Sequence, residues 1–190
     1  MTDIIDPLVG QTIVQVESGG QPFGPDGRLL IRFENHIFKG KLGDDALYAR
    51  HFQHGSPVWT GHRFRRSESG PWQEVHTGSQ ASEYAAFEFA ASLNRQAAFE
   101  SISMGLGQIM GFNARRVGYA SAEAMYRSFS QSSAAQVMAF INFFLSDPQL
   151  VQAMRVRDWR TIARLYNGPG NVDNVTPLLE ATYRRLAAAA

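Results

Sequence analysis

Cysteine is absent from the chain. A disulfide framework and a thiolate metal site are therefore excluded, while the redox compartment stays open, because a cysteine-free chain tolerates both. A strong charge of either sign is also missing. The formal net charge of +1 argues against a dedicated nucleic-acid binder, which carries a marked basic excess. No apolar run is long enough to span a bilayer. The most hydrophobic one, Val137 to Leu145, contains Asn142 and is followed by Asp147-Pro148, as expected of a core helix. Met1 to Gly10 holds Asp3 and Asp6 and no basic residue, which is not the pattern of a secretory signal. Neither an internal repeat nor a domain linker is visible. At 190 residues, 44% hydrophobic and 18% charged, the chain reads as one domain, residues 1–190, long enough to bury a sizeable core.

What is present is organised around Val16-Glu17-Ser18-Gly19-Gly20. Ile5, Leu8, Val9, Ile13 and Val16 recur at helical steps, and the two glycines end that helix where positive φ is needed. Glu17 then falls in the last turn, where the helix dipole disfavours a negative charge. A carboxyl that tends to keep its proton suits a general acid. A solvated glutamate beside a helix cap is the plain alternative.

Beyond Gly20 the turn-rich Gln21–Gly27 leads into a short strand candidate, Arg28 to Phe33, and then Glu34, a second acidic residue closing an apolar segment. Asp44 to Phe52 has room for one or two helical turns. From Gln53 to Ser79 no period is sustained, and a loop of that length in a compact domain is usually functional or mobile. All five histidines lie between His36 and His76, yet no HxxxH or HExxH spacing appears, so a metal site is not expected. Together with Arg63, Arg65, Arg66, Trp59 and Trp72, the loop has the makings of a flap over an extended, partly anionic substrate. A solvated cationic loop fits the same residues.

After Ala81 helices are expected over Glu83–Leu93, Asn94–Phe99, Ala122–Phe129, Ala134–Leu145, Asp147–Met154, Arg157–Tyr166 and Val175–Leu186. Asp158 is a plausible N-cap, and Ala134–Leu145, apolar nearly all round, is expected to be the central buried helix. Between Glu100 and Asn113, small residues at 101, 103, 105 and 107 permit a close backbone approach to a helix or a ligand. Packing alone does not require the polar Gln108 among Leu106, Ile109 and Met110.

Glu17-Ser18-Gly19-Gly20, Phe33-Glu34-Asn35-His36-Ile37-Phe38, Ser103-Met104-Gly105-Leu106-Gly107-Gln108-Ile109-Met110-Gly111-Phe112-Asn113 and Tyr166-Asn167-Gly168 occur in that order. The set resembles the lysozyme-like superfamily of goose-type lysozymes and soluble lytic transglycosylases, and within it the N-acetylmuramidase domain of bacteriophage endolysins, from about Leu8 to Leu186. The resemblance implies a mainly α (α+β) lysozyme-like helical domain, with a small β-region or long loop between about residues 26 and 79. It implies a monomeric peptidoglycan hydrolase without cofactor, nucleic acid or membrane insertion. Glu17 would protonate the bond between N-acetylmuramic acid and N-acetylglucosamine.

A second carboxylate roughly 6.5–9.5 Å away would activate water and invert the anomeric centre. Glu34 is the candidate, against an ion pair with Arg32. Without such a group, attack by the sugar itself gives transglycosylase chemistry. Ser103, Gln108, Tyr166 and Asn167 would contact or frame the sugar, each with a structural alternative: helix cap, core aromatic or C-cap. Arg115 and Arg116 would meet stem-peptide carboxylates or simply face solvent. A binding or virion module with a spent site is the non-enzymatic alternative, and retention of Glu17 speaks against it. The helix before Glu17 is shorter than in many relatives, and no separate wall-binding module is visible. Delivery to the wall would need a holin or a secretion machine.

Overall fold

A computed structural model describes residues 5–190, so Met1 and Asp3 lie outside the described residues. Helix α1 (Pro7–Ser18) starts on Asp6, whose carboxylate accepts from Leu8 N at 2.9 Å, with Pro7 in the first turn. Such a start satisfies one orphan amide and fixes φ where no amide hydrogen is needed. It stops at Gly19, where φ is +62° and the amide donates back to Gln15 O. Val9, Thr12 and Ile13 form its buried face. Helix α1 lies against α10 (Val172–Ala188), which leans in turn on α9 (Trp159–Asn167).

The segment between residues 26 and 79 is richer than expected. Strand β1 (Ile31–Phe33) is followed by two helices, α2 (Asn35–Leu42) and α3 (Asp45–His51). Then β2 (Phe52–Gln53), β3 (Arg63–Phe64) and β4 (Gln73–Glu74) form a small antiparallel sheet in that order. Strands of two residues cannot display alternation, so the sequence offers no period there.

A second correction concerns residues 100–113. After α4 (Gln80–Leu93) and α5 (Arg95–Glu100), strands β5 (Ile102–Met104) and β6 (Ile109–Met110) make a hairpin. Strand β5 pairs with β1, Arg32 opposite Ser103, giving a sheet ordered β1-β5-β6. The free edge of β1 is covered by the first turn of α4. Gln80 both accepts from Ile31 N and donates to Ile31 O at 2.9 Å, and Glu83 accepts from Phe33 N at 2.8 Å. Side-chain partners thus replace the missing strand and close an otherwise unpaired edge.

The remaining helices are α6 (Ala122–Gln131), α7 (Ser133–Leu145) and α8 (Pro148–Val156). Asp158 caps α9 through Thr161 N at 3.1 Å, as the sequence predicts. Helix α7 is not buried all round. Ala139, Phe140, Phe143 and Phe144 face the core, whereas Val137, Met138, Ile141 and Leu145 are 41–65% exposed. Hydrophobicity alone reports burial poorly when a helix lies at the edge of a domain. Among the described residues, no helix is long and apolar enough to cross a membrane.

Gln136, on the inner face of α7, joins three distant segments. Its Oε1 accepts from Leu106 N at 2.8 Å, and its Nε2 donates to Phe129 O at 3.0 Å and Pro22 O at 3.4 Å. Gln136 is 1% exposed, so removing the amide strands buried partners without water. Gln136→Met, close in volume, is expected to lower the unfolding free energy by about 1–3 kcal/mol in urea titration.

Candidate active site

Glu17 stands in the last turn of α1, and Asn167 is the last residue of α9. The two helix ends meet there, with Asn167 Nδ2 donating to Glu17 Oε1 at 2.6 Å. Protein crowds the Glu17 side chain, yet it remains half-buried rather than sealed. Burial pushes its carboxyl from 4.5 up to about 7, while the Asn167 hydrogen bond pulls the other way. The raised affinity for a proton agrees with expectation. Desolvation is its main cause, however, rather than the helix end considered at first.

Tyr166 precedes Asn167 and points into the core. Its hydroxyl donates to Gly107 O at 2.5 Å, and its ring rests on Phe140, Phe143 and Phe144 at centroid distances of 5.1–6.0 Å. Burial, helped by the nearby Glu17 carboxylate, raises its hydroxyl far above the ordinary value, so it remains a donor. Gly107 must be glycine, because a Cβ there would stand 2.6 Å from Phe140 and 2.8 Å from the Tyr166 oxygen. The hairpin is thereby drawn against the floor of the site.

Ser103 and Gln108 come together, though with each other. Ser103 Oγ donates to Gln108 Oε1 at 2.8 Å, and Gln108 Nε2 donates to Gly105 O at 2.9 Å. Gln108 sits at φ +44° and Gly105 at +66°, and these bonds hold that tight turn. Ser103 is on a strand, not a helix cap. The half-buried Gln108 amide keeps one hydrogen beyond its bond to Gly105.

Glu34 is placed differently. It is the residue before α2, and Arg32 Nε donates to its Oε1 at 2.9 Å, the ion pair that was the alternative to catalysis. Its Oε2 is buried and faces histidines, with His36 Nδ1 at 3.5 Å and His62 Nδ1 at 3.6 Å. Ligand-capable atoms of Glu34, His62 and His76 lie within 4.8 Å of one another.

The loop between β2 and β3 carries Trp59, 44% exposed. Its ring lies against Gly170, where a Cβ would stand 3.3 Å from Cζ3. The flap therefore touches the turn that follows Asn167. Arg116, an exposed residue, is tethered along one side. It donates to Ser146 Oγ at 2.6 Å and Phe143 O at 3.2 Å and stacks on the Phe143 ring. Arg115 is exposed and lines a surface cavity of about 490 Å³ bordered by Glu100, Phe112 and Glu123. That cavity shares no residue with the Glu17 constellation.

Sequence reasoning missed Gln136 and Glu83. A usable signal existed, since Glu83 with Phe87 and Ala90, and Gln136 with Ala139, Phe140 and Phe143, share core-facing helical positions.

The N-acetylmuramidase family model matches residues 6–187, and the chain belongs to that family. A solved structure of the Burkholderia phage AP3 endolysin is 31% identical, with a TM-score of 0.71 over 97% of this chain. The chain covers 66% of that endolysin's length. No curated protein matches. The mainly helical fold with small sheets is that of the endolysin.

The buried carboxyl has a consequence for stability. Below about pH 4.5 Glu17 is protonated in both folded and unfolded chains, and its ionisation costs nothing. As pH rises through about 7, only the folded chain must hold a crowded charge, so stability is lost. Glu17→Gln is therefore expected to gain about 2 kcal/mol over wild type above pH 8, with solvent access to the carboxyl trimming the full linkage value. That gain should vanish near pH 4. Thermal unfolding at both pH values checks this.

Proposed function

We propose that this chain is a peptidoglycan hydrolase that cleaves the β-1,4 bond between N-acetylmuramic acid and N-acetylglucosamine, with Glu17 as general acid. The observation that carries the proposal is the Glu17 carboxyl itself, crowded at the end of α1, held by Asn167 and raised by burial to a pKa of about 7. Near neutrality a useful share of it is protonated, while its conjugate base remains a competent acceptor. Membership of the N-acetylmuramidase family and likeness to a phage endolysin support the substrate class.

The proton of Glu17 passes to the glycosidic oxygen as the C1–O bond breaks, and positive charge develops on the ring. Water then adds its oxygen to C1 and returns a proton to Glu17. Glu34 is spoken for by Arg32 and turned toward histidines, which favours Glu17 serving as acid and then base. Tyr166 keeps the hairpin close by binding Gly107 O. Gln108 offers its spare amide hydrogen to a sugar substituent, and Ser103 orients Gln108. Trp59, exposed beside Gly170, offers a face on which a sugar ring can stack. The substrate would be met in the bacterial wall or periplasm.

Mass spectrometry of muropeptides released from purified peptidoglycan tests this. Products with reducing-end N-acetylmuramic acid are expected from wild type, and Glu17→Gln should release them roughly 10²–10⁴-fold more slowly. Anhydro-muramic products would instead identify a lytic transglycosylase. Absence of products from wild type would leave a binding module.

The pH profile carries the same assignment. Activity should fall as pH rises through about 7, because the acid form disappears. Asn167→Ala removes a hydrogen bond that favours the carboxylate, so the alkaline limb should move upward by up to about one unit. Initial rates of wall clearing from pH 5 to 9 would show the shift.

A further inference from the structure

We propose that Glu34, His62 and His76 form a binding site for a divalent cation of the zinc class. The argument rests on a count of hydrogen-bond donors. His62 Nε2 lies 2.8 Å from Val58 O, an acceptor only, so that nitrogen carries the hydrogen and Nδ1 is left with a lone pair. His76 Nδ1 lies 2.8 Å from Glu83 Oε1, so in the neutral ring it too carries its hydrogen there and leaves Nε2 as an acceptor. These two lone-pair nitrogens face each other at 2.7 Å. Glu34 Oε2, buried and with no hydrogen-bond partner among the described residues, faces the same point at 3.6 Å from His62 Nδ1. With both rings neutral, three acceptors converge, and the other nitrogen that faces Glu34 Oε2, His36 Nδ1 at 3.5 Å, makes no hydrogen bond to it. A cation satisfies all three at once.

The surroundings fit a metal. Each histidine is oriented from behind, His76 by a carboxylate and His62 by a backbone carbonyl, the outer-sphere arrangement that sets tautomer and direction in metal sites. Two nitrogens and one carboxylate oxygen are a known zinc donor set, with water completing the tetrahedron. A slight opening of the 2.7 Å approach reaches the ~3.3 Å between ligands each about 2.0 Å from a tetrahedral ion. Charge balance points the same way, since Glu34 and Glu83 have side chains only 15% and 7% exposed, and Arg32 is the one cation bonded to either among the described residues. The ligands come from the start of α2, the end of the β2–β3 loop and the segment after β4. An ion there ties the base of the flap that carries Trp59 to β1 and, through Glu83, to α4. Closing those loops through a metal lowers their conformational freedom.

The test uses untagged full chain, stripped by a chelator and titrated with Co²⁺ and then Zn²⁺. One Co²⁺ per chain is expected, with the intense visible absorption of a four- or five-coordinate ion, displaced by Zn²⁺. His76→Gln should weaken Zn²⁺ binding by ~100-fold or more, and Glu83→Gln by about 10–100-fold, as loss of an outer-sphere partner does. A wild-type spectrum that stays that of hydrated Co²⁺, or His76→Gln binding Zn²⁺ as tightly as wild type, overturns the site. The wild-type arm needs no variant to fold. Because the readout is metal and not wall cleavage, its failure would leave the muramidase reading untouched.

Discussion

A crowded carboxyl at a helix end is the constraint from which the rest of the site follows. Helix α1 stops where Gly19 takes a left-handed conformation, and that stop leaves Glu17 facing the end of α9 rather than open solvent. Desolvation keeps its proton, and Asn167 keeps its position. A residue so placed costs stability whenever it ionises. The surrounding structure carries that cost through the packing of α1 on α10 and of Tyr166 on the aromatic face of α7.

Around this point the fold is held by buried and half-buried polar side chains that complete unfinished backbone. Gln80 and Glu83 close the open edge of β1, Gln136 holds Leu106, and Ser103 with Gln108 braces the hairpin turn. Buried amides and carboxylates are costly when unpartnered, so each of these contacts specifies one arrangement of its segments. They are also the reason that a family motif rich in small residues becomes a strand-and-turn unit: Gly107 admits Tyr166 and Phe140 at distances no side chain would allow.

Glu34 shows how a motif can be shared by chemistry and architecture. One oxygen pairs with Arg32, and the other looks into His62 and His36. These contacts tie it both to β1 and to the base of the long flap. The flap that begins beside these histidines reaches Gly170 through Trp59 and so meets the turn that follows Asn167.

Much was legible in the residues alone. The amphipathic spacing before Glu17 and the glycines after it specified where α1 ends, because helix periodicity and left-handed φ are local properties. Asp158 as a cap and the helices after residue 121 were readable for the same reason. The order of four motifs pointed to the N-acetylmuramidase family, and the family match over residues 6–187 agrees. Tertiary structure alone decided that Asn167 touches Glu17 across 150 residues, that Ser103 and Gln108 bind one another, and that half of α7 faces outward. It also decided that histidines scattered in sequence meet Glu34. Local pattern reports the conformation of a segment; partners, burial and shifted proton affinities arise only when segments distant in sequence exclude water together.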